Sequence, residues 1–191
     1  ESPLPSLPAA EQALAGFDGE VVVTYGDVPL LKAADIEPVF NADGVTVIGF
    51  EARDPGAYGR LIVEGDTLTA ITEAKEASAE ILAITACNSG VMAAPAGLLF
   101  SLLAEVKNEN AKGEYYLTDV VALARKGGHP TRAVFAAEDA VMGVNSQAEL
   151  AQAEALFQSV QRDTFLAAGV TMAAPDTVHF AWDTQIGGGT V

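Results

Sequence analysis

Residues 20–27 read Glu-Val-Val-Val-Thr-Tyr-Gly-Asp, and this stretch indicates the fold class of the chain. Three valines, a threonine and a tyrosine, broken by Gly26, are typical of a short strand buried on both faces inside a parallel sheet. Ligands of open α/β sheets bind beyond the carboxyl ends of the strands, so Asp27 is well placed to hold a metal ion beside a phosphate. The alternative is an ordinary turn, because Gly-Asp followed by Val28 and Pro29 is common loop chemistry.

Strands and helices alternate along the rest of the chain, which favours a layered α/β domain. The apolar patterns predict strands at residues 45–52, 61–64, 68–73, 81–87 and 133–136. They predict helices at residues 10–16, 31–40, 98–106 and 146–168, with a further helix that begins at Thr118 or Asp119. Gly65 and Asp66 are expected to join two of the strands as a hairpin, and residues 88–90, Asn-Ser-Gly, are expected to end the strand before them.

Composition limits the classes of function. The chain has 191 residues, 26 acidic and 10 basic, and a net charge of −16, which disfavours binding to nucleic acid. A small phosphorylated substrate remains compatible if a divalent metal and backbone N–H groups offset the repulsion. No apolar run approaches membrane-spanning length and no signal peptide is evident, so we expect no membrane association and a cytoplasmic setting. Cys87 is the single cysteine, which fits a reducing compartment.

Several polar or flexible residues admit both a structural and a functional interpretation. Gly59 permits either a bend or the close approach of a ligand to bare backbone. Asn88 is either a turn former or a reader of sugar hydroxyls, and the local pattern leaves open whether Tyr116 and Thr118 face a ligand or the core. Asn145 precedes a predicted helix whose Ser146 and Glu149 form a capping box, so it is either part of that cap or a metal or phosphate contact.

Six segments, taken in order, carry a resemblance to a known family. They are residues 25–30 (Tyr-Gly-Asp-Val-Pro-Leu), 57–60 (Ala-Tyr-Gly-Arg), 73–77 (Glu-Ala-Lys-Glu-Ala), 88–90 (Asn-Ser-Gly), 113–119 (Gly-Glu-Tyr-Tyr-Leu-Thr-Asp) and 143–145 (Gly-Val-Asn). In this order they resemble the bacterial N-acetylglucosamine-1-phosphate uridyltransferase, the amino-terminal half of the bifunctional enzyme that makes UDP-N-acetylglucosamine for the cell envelope. The resemblance runs from about residue 10 to the end, and segment 113–119 is its specific part.

The resemblance implies a fold and a domain order. The fold class is α/β, a Rossmann-like (GT-A-like) nucleotidyltransferase domain that lacks its N-terminal nucleotide-binding segment. Residues 1–9, with three prolines and no initiator methionine, would be a lead-in that does not match the family. Residues 10–173 would form a partial uridyltransferase domain that includes the helix at 146–168. Residues 174–191 would begin a left-handed β-helix, which Ile186-Gly187 suggests.

The resemblance also implies the reaction and its residues. The sugar phosphate attacks the α-phosphorus of UTP and releases pyrophosphate, so alignment of two anions and screening by Mg²⁺ suffice without a covalent nucleophile. Asp27 and Asn145 would be the catalytic Mg²⁺ ligands, and Asn145 would also touch the nucleotide-sugar. Tyr25 and Gly26 would line the sugar and phosphate site, and Gly59 would contact the sugar through its backbone. Glu73 and Asn88 would hydrogen-bond the sugar hydroxyls. Tyr116 and Thr118 would lie farther out, near the sugar phosphate.

The departures from the family pattern define the alternatives. The family's Gly-x-Gly-Thr-Arg-Met loop with its lysine and its Gln-x-x-Gly-Thr-Ala-His segment do not occur here, and Glu76 replaces the usual aspartate. We therefore expect a fragment that keeps the sugar and Mg²⁺ side and makes no product alone, because the triphosphate cradle is missing. One alternative is a non-catalytic remnant that folds with a partner chain; another is a pyrophosphorylase for a different sugar or base. Full-length family members form homotrimers through the β-helix, whereas the oligomeric state of this chain is open.

Overall fold

The computed structural model of the chain describes residues 7–40, 43–109 and 113–191. These residues pack into two compact units. The first holds the residues up to Gly26 together with Leu31–Val141, and the second holds Asp27–Leu30 together with Met142–Val191. Asp27 therefore begins a segment of the second unit directly after Gly26 of the first.

The described part of the first unit is a sheet with helices. The strands are β1 (Glu20–Val23), β2 (Val45–Glu51), β3 (Arg60–Glu64), β4 (Thr67–Thr72), β5 (Ala86–Pro95) and β6 (Thr131–Phe135). The helices are α1 (Leu7–Ala13), α2 (Ala33–Ile36), α3 (Ala79–Leu82), α4 (Ala96–Leu103) and α5 (Asp119–Lys126), with 3₁₀ turns at Glu37–Val39 and Glu138–Ala140. The predicted α/β class is confirmed.

The sheet is mixed, and β5 is its central strand. The strand order is β4-β3-β5-β2-β6, and β1 also pairs with β5. The pairing of β2 with β6 is parallel, whereas β1, β2 and β3 each run antiparallel to β5. The predicted parallel environment of residues 20–27 was therefore wrong, and all four residues of β1 are only half-buried. A run of apolar residues predicts a strand but does not fix the direction of the strand beside it.

Alternation along β2 supplies a core on each face of the sheet. Val45 and Val47 belong to the cluster that includes apolar residues of α4 and α5, whereas Ile48 and Phe50 belong to the cluster on the other face. All four side chains are at most 1% exposed. Side chains of a strand point alternately to opposite faces, so this one strand joins the two cores.

The segment before β5 differs most from the prediction. Residues 81–87 were expected to form a strand, but Ala79–Leu82 is a helical turn whose cap, Ser78, accepts a hydrogen bond from Ile81 N–H at 3.3 Å. The strand begins at Ala86 and continues through residues 88–90, which were expected to end it. It continues because Gly90 adopts φ +85° and a register shift against β2 absorbs the irregularity.

Most other predicted elements form, with shifted ends. The β3–β4 hairpin turns at Gly65, where φ is +61°, as predicted. The helix expected at residues 31–40 is split into α2 and a 3₁₀ turn, because Pro38 cannot continue an α-helix. The first helix ends at Ala13, and Gly16 follows at φ +79°. That helix begins at Leu7, so part of the predicted lead-in is helical, and residues 1–6 lie outside the described residues.

The second unit is built on one long helix, α6 (Gln147–Ala167). Ser146 Oγ caps it by accepting from Glu149 N–H, and Gly169 at φ +87° follows its end, as predicted. Gln158 is buried and pairs with the backbone of Phe180, accepting its N–H at 2.7 Å and donating to its carbonyl at 2.8 Å. These bonds tie the C-terminal residues to α6.

The predicted start of a β-helix is not seen as strands in the C-terminal residues. Residues 168–191 contain a 3₁₀ turn at Pro175–Thr177 and, within this described range, no strand. The β-helix start therefore stays a prediction. Nor does any helix of the described residues combine the length and apolar character needed to span a bilayer.

Candidate functional site

Three of the predicted sugar-binding residues lie together in the first unit. A Cβ placed on Gly59 would be 3.5 Å from Glu73 Oε1 and 3.7 Å from Asn88 Cβ. The backbone adds a direct bond, because Asn88 N–H donates to the Gly59 carbonyl at 2.8 Å. The end of β4 and the start of β5 therefore bring Glu73 and Asn88 to the glycine that precedes β3.

Thr118 extends this group. Its hydroxyl is 3.3 Å from Glu73 Oε1, within hydrogen-bonding distance, and its side chain is largely buried at the start of α5. The prediction that Thr118 or Asp119 caps α5 is right in position, but no side-chain capping bond forms. Burial, followed by the nearby charge of Glu76, raises the pKa of Asp119 above its ordinary value.

Tyr25 lies against residues 88–90 of β5, where the register shift against β2 forms a β-bulge that carries Asn88. A Cβ on Gly90 would be 2.2 Å from Tyr25 Cε2, so the ring lies directly on the bare glycine. Asn88 Oδ1 accepts the Gly90 N–H at 3.0 Å, the local bond expected of a turn former. That bond uses only the amide oxygen, and its NH₂ group is the part of the side chain suited to a ligand acceptor. Gly26 borders open space, with no atom within 4 Å of where its Cβ would be.

A cavity of about 430 Å³ adjoins these residues within the first unit. This volume lies in the range of small-molecule sites. Four predicted site residues line it, namely Tyr25, Glu73, Tyr116 and Thr118, among mostly apolar side chains of α1, β1 and α4. A mostly apolar wall with a few polar groups is the usual make-up of a ligand pocket.

The two predicted metal ligands lie in the second unit and face the same point. The distance from a Cβ placed on Gly143 would be 3.6 Å to Asn145 Nδ2 and 4.0 Å to Asp27 Oδ2. The backbone causes this approach, because Val144 N–H donates to the Asp27 carbonyl at 2.8 Å. Two residues far apart in sequence thus present their side chains beside one glycine.

Asn145 also belongs to the start of α6. Its N–H donates to Glu149 Oε2 at 2.7 Å, so the structural interpretation of Asn145 as part of the helix cap is correct for its backbone. This bond from Asn145, followed by the bond from the Ser146 side chain, lowers the pKa of Glu149. The cap holds the backbone and leaves the side-chain amide of Asn145 free of that role.

The chemistry of the pair fits a hard divalent cation. Mg²⁺ prefers oxygen ligands, is typically bound by one or two protein groups, and takes the rest from water and substrate phosphates. The Asp27 carboxylate and the Asn145 carboxamide, whose nitrogen is the atom nearest Gly143, can each give one oxygen to such a donor set once the amide is turned to present Oδ1. Within the described ranges, no group of three or more His, Cys, Asp or Glu side chains converges in a way that could hold a metal ion.

Two residues that shape the first-unit group were missed in the sequence. Gly90 provides the surface for Tyr25, and its signal was a glycine inside an otherwise apolar strand, which often marks a bulge. Arg60 is 2% exposed although charged, and its guanidinium is buried under the loop before β3. The sequence signal for its burial was its position as a lone basic residue at the start of an apolar strand, directly before Leu61 and Ile62.

Comparison with known proteins places the chain in a family. It is 55% identical over 188 residues to the bifunctional protein GlmU of Caulobacter vibrioides, and 52% identical over 187 residues to that of Hyphomonas neptunium. These matches cover 96% and 95% of the chain but only 41% of each relative, so the chain spans about two fifths of their length. No model of a known protein family matches. The resemblance read from the motifs is confirmed, for a segment of the bifunctional protein.

Solved structures support the fold. A nucleoside-diphosphate-sugar pyrophosphorylase from Vibrio cholerae aligns with a TM-score of 0.56 at 17% identity, over 75% of this chain and 58% of its own. A CMP:2-keto-3-deoxy-manno-octonic acid synthetase aligns with a TM-score of 0.55 at 12% identity, over 81% of this chain and 68% of its own. At these identities the likeness concerns the fold alone, which is that of nucleotidyltransferases.

Proposed function

Since the chain is a segment of the GlmU family of uridyltransferases, we propose that it is the sugar- and Mg²⁺-binding part of an enzyme that forms UDP-N-acetylglucosamine. The reaction joins UTP and N-acetylglucosamine 1-phosphate and releases pyrophosphate. The observation that carries the proposal is the grouping of Gly59, Glu73 and Asn88 in one place. These three residues offer backbone, carboxylate and amide groups, the donors and acceptors that hydroxyls and an N-acetyl group require.

In this proposal the first unit binds the sugar. Glu73 accepts hydrogen bonds from hydroxyls and is held in place by Thr118. Asn88 donates through its amide, while its oxygen is fixed by the bulge. Tyr25 provides an apolar surface for the ring of the sugar, and Tyr116 lines the neighbouring cavity. Gly26 leaves room for the phosphate beside it.

The second unit would hold the metal. Asp27 and Asn145 would bind Mg²⁺ through their side-chain oxygens, supported by the backbone bond that holds residue 144 to Asp27. The bound ion would neutralise phosphate charge as the two substrates are aligned. In a chain with a net charge of −16, a local positive charge is required before an anion is held. The lone buried Cys87 fits a cytoplasmic setting for this chemistry.

Titration calorimetry of the chain with N-acetylglucosamine 1-phosphate, with and without Mg²⁺, tests the proposal. We expect binding that strengthens with Mg²⁺ and weakens about tenfold or more in Glu73→Gln, because a charged hydrogen-bond acceptor is lost. Glu80→Gln, the same change at an exposed position of α3, is the matched control and should bind normally. Equal binding by both variants would remove Glu73 from the sugar site.

The metal assignment needs its own variant. Asp27→Asn should abolish the gain in affinity that Mg²⁺ gives, while affinity without Mg²⁺ stays the same. The control is Asp183→Asn, an exposed carboxylate of the same unit. A persisting Mg²⁺ effect in Asp27→Asn would contradict the role of Asp27.

We expect no turnover by these 191 residues alone. They lack the glycine-rich loop and lysine of the family, and such preorganised donors supply several kcal/mol of transition-state stabilisation, on the order of 3 for each donor. An assay of UDP-N-acetylglucosamine formation from UTP and the sugar phosphate decides the point. Turnover near that of a bifunctional relative would show that the loop is dispensable.

A partner-dependent module is the second candidate. The observation that favours it is the half-burial of β1, which within the described residues pairs only with β5, beside a half-exposed Phe17. An incompletely covered strand with apolar neighbours favours association with another chain. Size-exclusion chromatography distinguishes the two cases, because a monomer at all concentrations disfavours the module.

A further inference from the structure

Arg60 is a buried cation that donates hydrogen bonds to backbone carbonyls and also lies beside the Cys87 thiol on the neighbouring strand. Its Nη1 donates to the Tyr58 carbonyl and, at 3.2 Å, to that of Pro55, and its Nη2 donates to that of Gly56 at 3.2 Å. The salt bridges of the described residues do not include Arg60, and its buried Nε has no partner among them. A charge buried in this way is costly, so the three carbonyls that accept its hydrogen bonds indicate a specific arrangement.

One of these bonds acts directly on Gly59. The carbonyl of Tyr58 and the N–H of Gly59 belong to the same planar peptide unit. A cation that hydrogen-bonds the carbonyl withdraws electron density from that unit, which makes its N–H a stronger donor. Arg60 therefore both orients and polarises the Gly59 N–H.

The opposite side of Gly59 is fixed as well. Its own carbonyl accepts from Asn88 N–H at 2.8 Å, so the peptide units before and after the glycine are both held. With the carbonyl engaged, the N–H is the backbone group that best suits a ligand. The neighbouring groups are Glu73 Oε1 and Ile71 Cγ2, which a Cβ at residue 59 would meet at 3.5 and 3.4 Å.

We infer that Arg60 is a positioning residue that fixes and polarises the Tyr58–Gly59 peptide so that the Gly59 N–H donates to a sugar hydroxyl. The inference rests on the proposed function for its ligand, but its structural half, the hold of Arg60 on this peptide, stands apart from it. Arg60 itself does not touch the sugar. It sets the strength and selectivity of the contact beside it.

The first test uses the ¹⁵N-labelled chain without ligand. Arg60→Lys keeps the charge but loses the planar fork that reaches several carbonyls, and Arg125→Lys is the same change on the exposed face of α5. The Gly59 amide proton should move upfield in Arg60→Lys by several times the shift seen in Arg125→Lys. Equal shifts in the two variants overturn the inference.

The second test measures selectivity in the presence of Mg²⁺. The unaltered chain should bind N-acetylglucosamine 1-phosphate about 3- to 10-fold more tightly than whichever of the 3-deoxy and 4-deoxy analogues lacks the contacted hydroxyl. In Arg60→Lys the intact and deoxy ligands should bind alike. An equal loss for all three ligands would mean that Arg60 serves only the fold, which overturns the inference.

The two tests separate this inference from the proposed function. If the unaltered chain binds none of the three ligands, the proposed function fails, and the Gly59 amide shift still decides whether Arg60 holds the peptide. If Arg60→Lys does not fold, the hydrogen bond from Arg60 to the Tyr58 carbonyl can be measured in the unaltered chain instead. Its Arg60 Nη groups should show a through-hydrogen-bond coupling to the Tyr58 carbonyl carbon, and the absence of that coupling overturns the inference.

Discussion

Replacement of Gly90 by alanine should destabilise the chain through Tyr25. Gly90 adopts φ +85°, and its Cβ would stand 2.2 Å from Tyr25 Cε2 and 2.5 Å from Cδ2. Real Cβ atoms do not approach so closely, so the ring must leave the bulge. The tyrosine is 47% exposed and has solvent to move into, which makes displacement the expected response.

The cost has two parts. The left-handed backbone costs alanine about 1–2 kcal/mol, which the lower entropy of the unfolded chain offsets by about 0.4–1 kcal/mol. Loss of the packed half of the tyrosine ring adds about 1–2 kcal/mol at about 25 cal/mol per Å² of apolar surface. Gly65→Ala is the matched control, because Gly65 has φ +61° and no atom within 4 Å of the Cβ position. It carries the backbone cost without the clash.

Thermal unfolding followed by circular dichroism measures the difference. Gly90→Ala should melt about 2–8 °C below Gly65→Ala, because about 1 kcal/mol corresponds to 2–4 °C in a chain of this size. In a Tyr25→Ala background the gap between the two alanine variants should close, since no ring remains to be displaced. Equal melting temperatures of Gly90→Ala and Gly65→Ala in the native background would refute the assignment of Tyr25 to the bulge.

Three further predictions concern stability and reactivity. Hydrogen bonds at the start of α6 lower the pKa of Glu149, so its stabilising effect is present above the ordinary value of 4.5 and is lost as pH falls through the lowered pKa. Glu149→Gln should therefore flatten the acid side of a stability-against-pH curve, and an unchanged curve would contradict this. Burial raises the pKa of the Cys87 thiol. A thiol reagent should therefore label Cys87 at least about 100-fold more slowly in the folded chain than in denaturant. Comparable labelling rates would show that the core around β5 opens readily. Gln158→Ala leaves the backbone of Phe180 unpaired and should cost about 1–3 kcal/mol with faster proteolysis of the C-terminal residues, whereas the exposed Gln152→Ala on the same helix should not.

The sequence predicted well where local chemistry decides the structure. The β3–β4 hairpin follows from Gly65 and Asp66 between two apolar runs, and the start of α6 follows from Ser146 and Glu149. In both cases the residues that signal the element also form the bonds that close it. No distant partner is needed, so the pattern is sufficient.

Prediction failed where the decision lies with distant partners. The apolar run of β1 is the same in a parallel and an antiparallel neighbourhood, and only the position of β5 selects the second. Residues 88–90 have the composition of a turn, but the residues on either side of them are paired with neighbouring strands, which keeps the segment extended and converts the turn into a bulge. Local propensity is overridden when pairing on both edges supplies more hydrogen bonds than a turn would.

The candidate site was found by resemblance rather than by local pattern. Gly59, Glu73 and Asn88 stand at the ends of different strands, and no spacing rule relates them. Their roles in ligand binding stay predictions, although the structure places them side by side. The burial of Arg60 was not predicted, because a charged residue in a strand normally indicates an exposed face. Here the loop before Arg60 folds over its guanidinium.

The global charge of the chain and the local chemistry of the site act in opposite directions. A net charge of −16 repels a sugar phosphate at long range, so the field of the protein cannot account for binding an anion. The attraction that the proposed function requires must then come from short-range groups that solvent screens poorly, and we have proposed two: Asp27 with Asn145 for a cation, and the Tyr58–Gly59 peptide beside Arg60 for a hydroxyl. Each depends on a backbone hydrogen bond between distant segments, from Val144 to Asp27 and from Asn88 to Gly59. The fold therefore fixes each of these two arrangements within its own unit, and the proposed binding depends on them because the composition alone disfavours an anion.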